Sequence, residues 1–226
     1  MVYTHILFDA DGTLFDFQRS EQYSVEKFFR AHGLTFSNEL YALFHRINDR
    51  YWLMLEQGKI DKSVLQVERF REFLSVIGLP GWDPAACNRE YLSYLGECSF
   101  LMEGAEEVCR YLAGRYRLAL VTNGISKVQH SRLARSPLAP YIATVIVSED
   151  AGFSKPERGY FDYAFRQLEG AEPESCLIVG DSLLADIGGG AAYGLDTCWY
   201  NPKGQPEGEL RPTYQIWELL ELSTFL

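Results

Sequence analysis

Apolar residues follow two rhythms along this chain. A short unbroken run, Ile6-Leu7-Phe8, predicts a buried strand over residues 4–9. From Ser20 to Gly96 the rhythm is helical instead. Val25, Phe28 and Phe29 open an apolar face that Gly33 ends. Leu40, Leu43, Phe44, Ile47, Tyr51, Met54 and Leu55 then recur at helical spacing before Gly58. Asp61 is placed to cap a third helix bearing Val64, Val67, Phe70, Leu74 and Ile77, which Gly78-Leu79-Pro80-Gly81 stops. Asp83 with Pro84 is a cap-and-first-turn signature for a fourth, running toward Gly96.

The rest of the chain alternates. Residues 106–113 read as a short helix with Gly114 just past its end. Strands are expected at 118–122, 143–147, 176–180 and 197–200. Helices are expected between them at 126–134, 156–168 and 184–193, with Pro156 in the first turn of its helix. A last short strand at 213–216 and a helix at 217–222 complete the pattern. This alternation predicts the α/β class, a Rossmann-like parallel sheet with helices on both faces. The expected organisation is a core of residues 1–16 and 99–226, interrupted by an α-helical domain of residues 17–98. Ligands of such sheets gather at the carboxyl ends of the strands.

With 226 residues, 47% of them hydrophobic, the chain can bury a full core. It carries 21 basic and 31 acidic residues, a net charge of −10. That balance argues against nucleic-acid polymers and membrane surfaces, which need clustered Lys and Arg. It also disfavours long-range steering of an anionic substrate, so a metal and local donors would have to hold one. Net negative charge also serves solubility alone. No apolar run approaches a membrane span, and no basic-then-apolar leader opens the chain, so a cytoplasmic location is expected. Cys87, Cys98, Cys109, Cys176 and Cys198 lack zinc-site spacing; an odd, widely spaced set reads as reduced cysteines acting as small hydrophobes.

Polar residues out of place in this pattern fall at strand ends. Asp9-Ala10-Asp11-Gly12-Thr13 follows the first strand. Asp is depleted in strands and like charges this close repel, so a bound divalent cation is the simplest compensation. An acidic, solvated turn explains these few residues equally well. Thr122-Asn123-Gly124 ends the next strand, Lys155 precedes Pro156, Asp181 ends the strand at 176–180, and Asp186 lies in the following first turn. Each has an ordinary reading alone: a strand-end hydroxyl, a solvated loop charge, an acid complementing a helix dipole. Their convergence at one sheet edge favours catalysis.

The segments Asp9-x-Asp11-Gly12-Thr13, Thr122-Asn123-Gly124, Lys155-Pro156 and Gly180-Asp181-Ser182-(x3)-Asp186 resemble the four ordered motifs of the haloacid dehalogenase superfamily. The helical insert resembles that superfamily's first type of cap domain. The resemblance implies a Mg²⁺-dependent phosphomonoester hydrolase, with Mn²⁺ or Co²⁺ as substitutes. Asp9 would be the nucleophile of an aspartyl-phosphate intermediate, and Asp11 the general acid and base. The metal would be held by the Asp9 side chain, the Asp11 backbone carbonyl and a third acid. Asp181 is favoured for that third place, with Asp186 acting through water or positioning Lys155, though these two could exchange roles. Thr122, Asn123 and the backbone N–H groups of Ala10 and Asn123 would hold the phosphate, and Lys155 would stabilise its charge.

Asp11 argues against a dehalogenase, where the corresponding residue is not an acid. A phosphomutase of this cap type usually carries an Asp-Thr and a hinge His after the first motif, and Phe15-Asp16-Phe17-Gln18-Arg19-Ser20-Glu21 has neither. Thr122-Asn123-Gly124-Ile125, Gln129, Arg132-Leu133, Ser148-Glu149, the run Thr197 to Asn201, Gln205-Pro206-Glu207-Gly208 and Pro212-Thr213 are similar to the bacterial pyrimidine 5′-nucleotidase branch. A nucleoside monophosphate is the expected partner, for a monomer or homodimer. N-acylneuraminate 9-phosphate phosphatases share much of this pattern and give the runner-up, a sugar phosphate. A phosphometabolite binder without catalysis is the reading from another class. Of the insert's aromatics, Phe44, Tyr51 and Phe70 fall on faces that must be buried; Phe15, Phe17 and Trp52 are less well explained by periodicity and are candidate substrate contacts.

Overall fold

The computed structural model describes residues 3–206 and 208–226; Glu207, part of the nucleotidase-like run, lies outside them. Six strands form one sheet in the order β3-β2-β1-β4-β5-β6. They are β1 (His5–Phe8), β2 (Arg117–Thr122), β3 (Ile142–Val147), β4 (Cys176–Gly180), β5 (Asp196–Tyr200) and β6 (Tyr214–Ile216). Every pairing is parallel. β1 lies centrally, with Phe8 opposite Leu120 of β2 and Val179 of β4. This register brings the ends of three strands to one level.

Alternate residues face opposite layers, and both layers are apolar, as a doubly covered parallel sheet requires. Ile6, Phe8, Leu118, Leu120, Leu177 and Val179 pack with Val108, Cys109 and Leu112 of α5 (Ala105–Ala113). Leu7, Ala119, Val121 and Ile178 pack with Tyr160, Phe161 and Ala164 of α8 (Arg158–Gln167). The five cysteines are free and buried.

The chain divides into two compact units, one running to Phe17 and resuming at Ser99, the other Gln18–Cys98. Phe17 therefore groups with the core rather than with the insert. Where the core is interrupted its two strands of chain lie together: Phe15 bridges Leu101, and the Asp16 N–H donates to Phe100 O at 3.0 Å.

The second unit holds α2 (Asn38–Glu56), α3 (Lys62–Val76), α4 (Pro84–Leu95) and nearly all of α1 (Phe17–Ala31). The Asp83 carboxylate accepts from Ala85 N–H at 2.9 Å and Pro84 opens α4, as expected. Asp61 stands at the cap position of α3 without a side-chain cap bond. Phe28, Phe44, Phe70, Phe73 and Tyr91 are fully buried, and the Phe44 ring lies 5.1–5.3 Å from those of Phe73, Phe70 and Tyr91. These aromatics are the unit's core. None of the described helices is long and apolar enough to cross a membrane.

Three expected elements differ. The helix expected at 156–168 begins only at Arg158, with Glu157 extended. The helix expected at 184–193 is split. Residues Leu183–Gly188 form a wide π-type turn, with the Ile187 N–H donating five residues back to Ser182 O at 3.2 Å; α9 (Gly189–Tyr193) follows. The last helix, expected at 217–222, is a tight three-residue-per-turn helix over Leu219–Thr224.

Candidate active site

Asp9 continues β1 beyond its last paired residue, and its N–H donates to Val179 O at 2.9 Å. Its Oδ1 accepts from Lys155 Nζ at 2.6 Å. The same ammonium donates to Asp186 Oδ1 at 2.6 Å and to Val121 O at 2.7 Å. Three acceptors thus match the three N–H bonds of Lys155, whose side chain is 1% exposed. Burial opposes that charge, but Asp186 and Asp9 outweigh it and hold Lys155 above its ordinary pKa. Asp9 behaves oppositely: burial raises its carboxyl well above the usual range, Lys155 pulls it back, and Asp186 and Asp181 push it further up.

Asp181 and Asp186 differ in what their oxygens do. Asp186 is buried with both oxygens engaged, Oδ1 by Lys155 and Oδ2 by the Ser182 N–H at 3.1 Å. Its side chain lies over Gly180, where a Cβ would collide with it. The π-type turn makes this possible by bringing Asp186 back over the end of β4. Asp181 is exposed, accepts from the Thr13 hydroxyl at 3.2 Å, and rests against Gly12. Gly12 has φ 90°, a conformation a side chain disfavours, and a Cβ would strike the Asp181 carboxylate. The Trp199 indole donates to Asp181 O at 3.0 Å and fixes this turn from β5. Desolvation, then the charge of Asp186, push Asp181 up to about 7 although water still reaches it.

One oxygen each from Asp9, Asp181 and Asp186 lie within 4.8 Å of one another. An all-carboxylate set of this size fits a hard divalent cation. Asp9 Oδ2 accepts no hydrogen bond among the described residues, and Asp181 is open to water. Asp11 contributes no side chain to this set. Its carboxylate turns toward α6 (Ser126–Ala134), where Gln129 Nε2 donates to Oδ2 at 2.5 Å and Arg132 pairs with Oδ1.

Thr122 is 1% exposed at the end of β2. Its Oγ1 accepts from the Gly124 N–H at 3.0 Å and from Gln129 Nε2 at 3.3 Å, so its own hydroxyl proton is available as a donor. The Ala10 N–H meets no acceptor among the described residues, while Ala10 O takes the N–H groups of Leu14 and Phe15. The Asn123 side-chain amide is engaged within the chain: Nδ2 donates to Lys155 O and Oδ1 accepts from Lys155 N, both at 2.8 Å. That two-bond clamp ties the Lys155 loop to β2, and an amide does it because it offers a donor and an acceptor side by side.

Of the expected aromatic contacts, Phe15 needs correction. Phe15 is 0% exposed in the core, with the Arg132 guanidinium 4.6 Å from its ring centre, so no face is open to a substrate. Phe17 and Trp52 are half-buried, and Trp52 Nε1 is a buried donor without an acceptor among the described residues. Sequence reading assigned no role to the Gln129–Arg132 pair, or to Tyr160, whose hydroxyl donates to Ile146 O at 3.0 Å beneath the site. Burial raises that phenol's pKa and keeps it neutral beside Lys155. A signal was present for the pair: both lie on the stripe of α6 that also carries buried Val128 and Leu133.

Comparison with known proteins agrees with this geometry. The profile of the haloacid dehalogenase-like hydrolases matches residues 3–194. YfnB of Bacillus subtilis (strain 168) is 38% identical over 97% of this chain and 94% of its own length. Its crystal structure, bound to magnesium, superposes with a TM-score of 0.95 over 100% of this chain and 99% of that one. The pyrimidine 5′-nucleotidase YjjG of Escherichia coli (strain K12) is 32% identical over 100% of this chain and 99% of its own. The pyrimidine 5′-nucleotidase PynA of Streptococcus pneumoniae (strain ATCC BAA-255 / R6) is 34% identical, covering 98% and 94%. Four motifs at one sheet edge and a family match across most of the chain lead to one assignment: the protein belongs to the haloacid dehalogenase-like hydrolases.

Proposed function

We propose that this hydrolase removes the phosphate from nucleoside 5′-monophosphates of the pyrimidine series through a covalent phosphate ester of Asp9. The observation that carries the reading is the asymmetry of Asp9. One of its oxygens is tied to Lys155 and the other accepts no hydrogen bond among the described residues. That free oxygen attacks phosphorus. The bond from phosphorus to the ribose oxygen breaks, and the Asp11 carboxyl delivers its proton to that oxygen. Water then attacks phosphorus, gives a proton to the Asp11 carboxylate, and phosphate leaves Asp9. Thr122 and the Ala10 N–H donate to phosphoryl oxygens, and Lys155 balances their charge.

Asp9, Asp181 and the Asp11 carbonyl are the proposed holders of a magnesium ion, with Asp186 orienting Lys155. When bound, the ion would screen the repulsion between the phosphate and the Asp9 carboxylate. The substrate class is supported by the two nucleotidases, each related to this chain over nearly its full length.

The test is phosphate release with Mg²⁺ from a panel of nucleoside monophosphates, sugar phosphates and an aryl phosphate. Asp9→Asn protein and EDTA serve as controls. Release from dUMP, UMP or dTMP well above the sugars, lost in both controls, supports the proposal. A preference for sugar phosphates keeps the chemistry and replaces the substrate. No release from any compound removes the hydrolytic reading of Asp9.

A further inference from the structure

Gln129 and Arg132 occupy positions where α6 would be more stable with apolar side chains. They are 1% and 0% exposed and stand three residues apart, on one side of the helix. Burying a guanidinium is costly unless an anion pairs with it. Here the anion is Asp11, one oxygen for each residue of the pair. The Phe15 ring, from the loop that carries Asp11, supports the guanidinium from below. Gln129 is the more telling of the two. Its Nε2 donates to Asp11 and Thr122, yet its Oε1 is buried with no hydrogen-bond partner among the described residues. A carboxylate at 2.5 Å forces the donor end of the amide toward Asp11, and the other end is left unsatisfied. A residue selected for packing would not carry that penalty. Gly124 points the same way: a Cβ there would occupy the space through which the Gln129 side chain reaches.

We infer that Gln129 and Arg132 are positioning residues that fix the Asp11 carboxyl at its working station, and that Gly124 is there to admit Gln129. This rests on the proposed role of Asp11 as proton donor to the leaving oxygen. An alkoxide leaving group, as from a nucleotide, needs that proton; 4-nitrophenolate leaves as the anion. Loss of positioning therefore acts on the first step for a nucleotide, but only on the second, water-activating step for 4-nitrophenyl phosphate.

The experiment compares wild-type protein with Gln129→Leu, Arg132→Lys and Gly124→Ala, using dUMP and 4-nitrophenyl phosphate with Mg²⁺ in a rapid-mixing instrument. Wild-type turnover of neither compound defeats the proposed chemistry itself. With wild-type turnover in hand, the variants are expected to lose roughly 10–100-fold in kcat/KM on dUMP, the scale of a misplaced proton donor. They should still release a burst of 4-nitrophenolate, at close to one per enzyme and at an unchanged rate, before a slow steady state. Equal losses on both substrates with no burst, or no loss on dUMP, would overturn the inference and leave the nucleophile reading intact. Arg132→Lys keeps the charge but not the planar fork; should it fail to fold, Gln129→Leu, which removes an unsatisfied buried group, carries the same test with its melting temperature undiminished.

Discussion

Two of the groups of buried charged side chains among the described residues, one in each unit, are built differently. In the helical unit, Glu21 is 0% exposed and accepts from Tyr41 at 3.2 Å, His45 at 2.6 Å and Asn48 at 2.7 Å. Asn48 passes the polarity on to Arg69, which donates to it at 2.6 Å and to Asn88 at 2.6 Å. Burial lowers the Arg69 pKa, and the Tyr91 ring lies 5.1 Å from its guanidinium. At the sheet edge, Lys155 is equally buried and equally well bonded, yet its neighbours are not: Asp9 keeps a free oxygen and Asp181 faces water. The first group is closed on itself and holds helices together. The second is left open toward something outside the chain. Burial of charge alone does not mark a site; a buried charge with an unfinished partner list does.

Substitution can break this contrast. Lys155→Met should have the largest effect, because it removes the cation of the open group. Asp9 and Asp186 then face each other unpaired, so phosphatase activity should fall by at least about a thousandfold and stability by about 3–5 kcal/mol. Activity assays and urea denaturation read the two losses. Arg69→Met in the closed group should cost a similar ~3–5 kcal/mol in the same denaturation experiment, while turnover per folded molecule is unchanged. A comparable loss of turnover would dissolve the distinction.

Asp181 gives a finer test. A carboxyl raised to about 7 in the folded protein holds its proton where the unfolded chain has lost it. Folding stability is therefore highest below the unfolded value near 4 and declines as pH rises toward 7. In EDTA, Asp181→Asn should melt with wild type at low pH and above it at pH 8. Equal melting temperatures throughout would remove the raised pKa that desolvation and Asp186 give Asp181. The smallest effect belongs to neither group: Asp83→Ala removes the α4 cap and should cost about 1 kcal/mol, a baseline for the other values.

The strand edge was legible in the sequence because acids follow otherwise apolar strands, a lysine stands in the loop after another, and parallel strands all end at the same side. The helical insert was legible from its apolar spacing. The detail that escaped was relational. Asn123 looked like a phosphate ligand because it follows Thr122, but only the folded chain brings Lys155 within reach of its amide. Phe15 looked unexplained because the residues that bury it, apolar core residues and Arg132, come mostly from far along the sequence. The break in the helix at 184–193 escaped for a similar reason: the Asp186 carboxylate reaches back to the Ser182 N–H, and the helical turn widens there. Gln129 and Arg132 carried a signal in one dimension, as polar residues on a buried stripe, but not the identity of their partner.

The central place of β1 in the sheet has a consequence for synthesis on the ribosome. β1, which leads into Asp9, is made before both of its neighbours, which begin at Arg117 and Cys176. At roughly 5–20 residues per second, the second neighbour follows after about 10–35 s. Until β2 is made Ile6-Leu7-Phe8 has two unpaired edges, and until β4 is made it has one, while the compact unit Gln18–Cys98 is contiguous in the chain. The nascent protein therefore lacks its full set of sheet-edge acids until Asp186 has been made. Its early hydrophobic strand is the segment for which a chaperone would have the longest use.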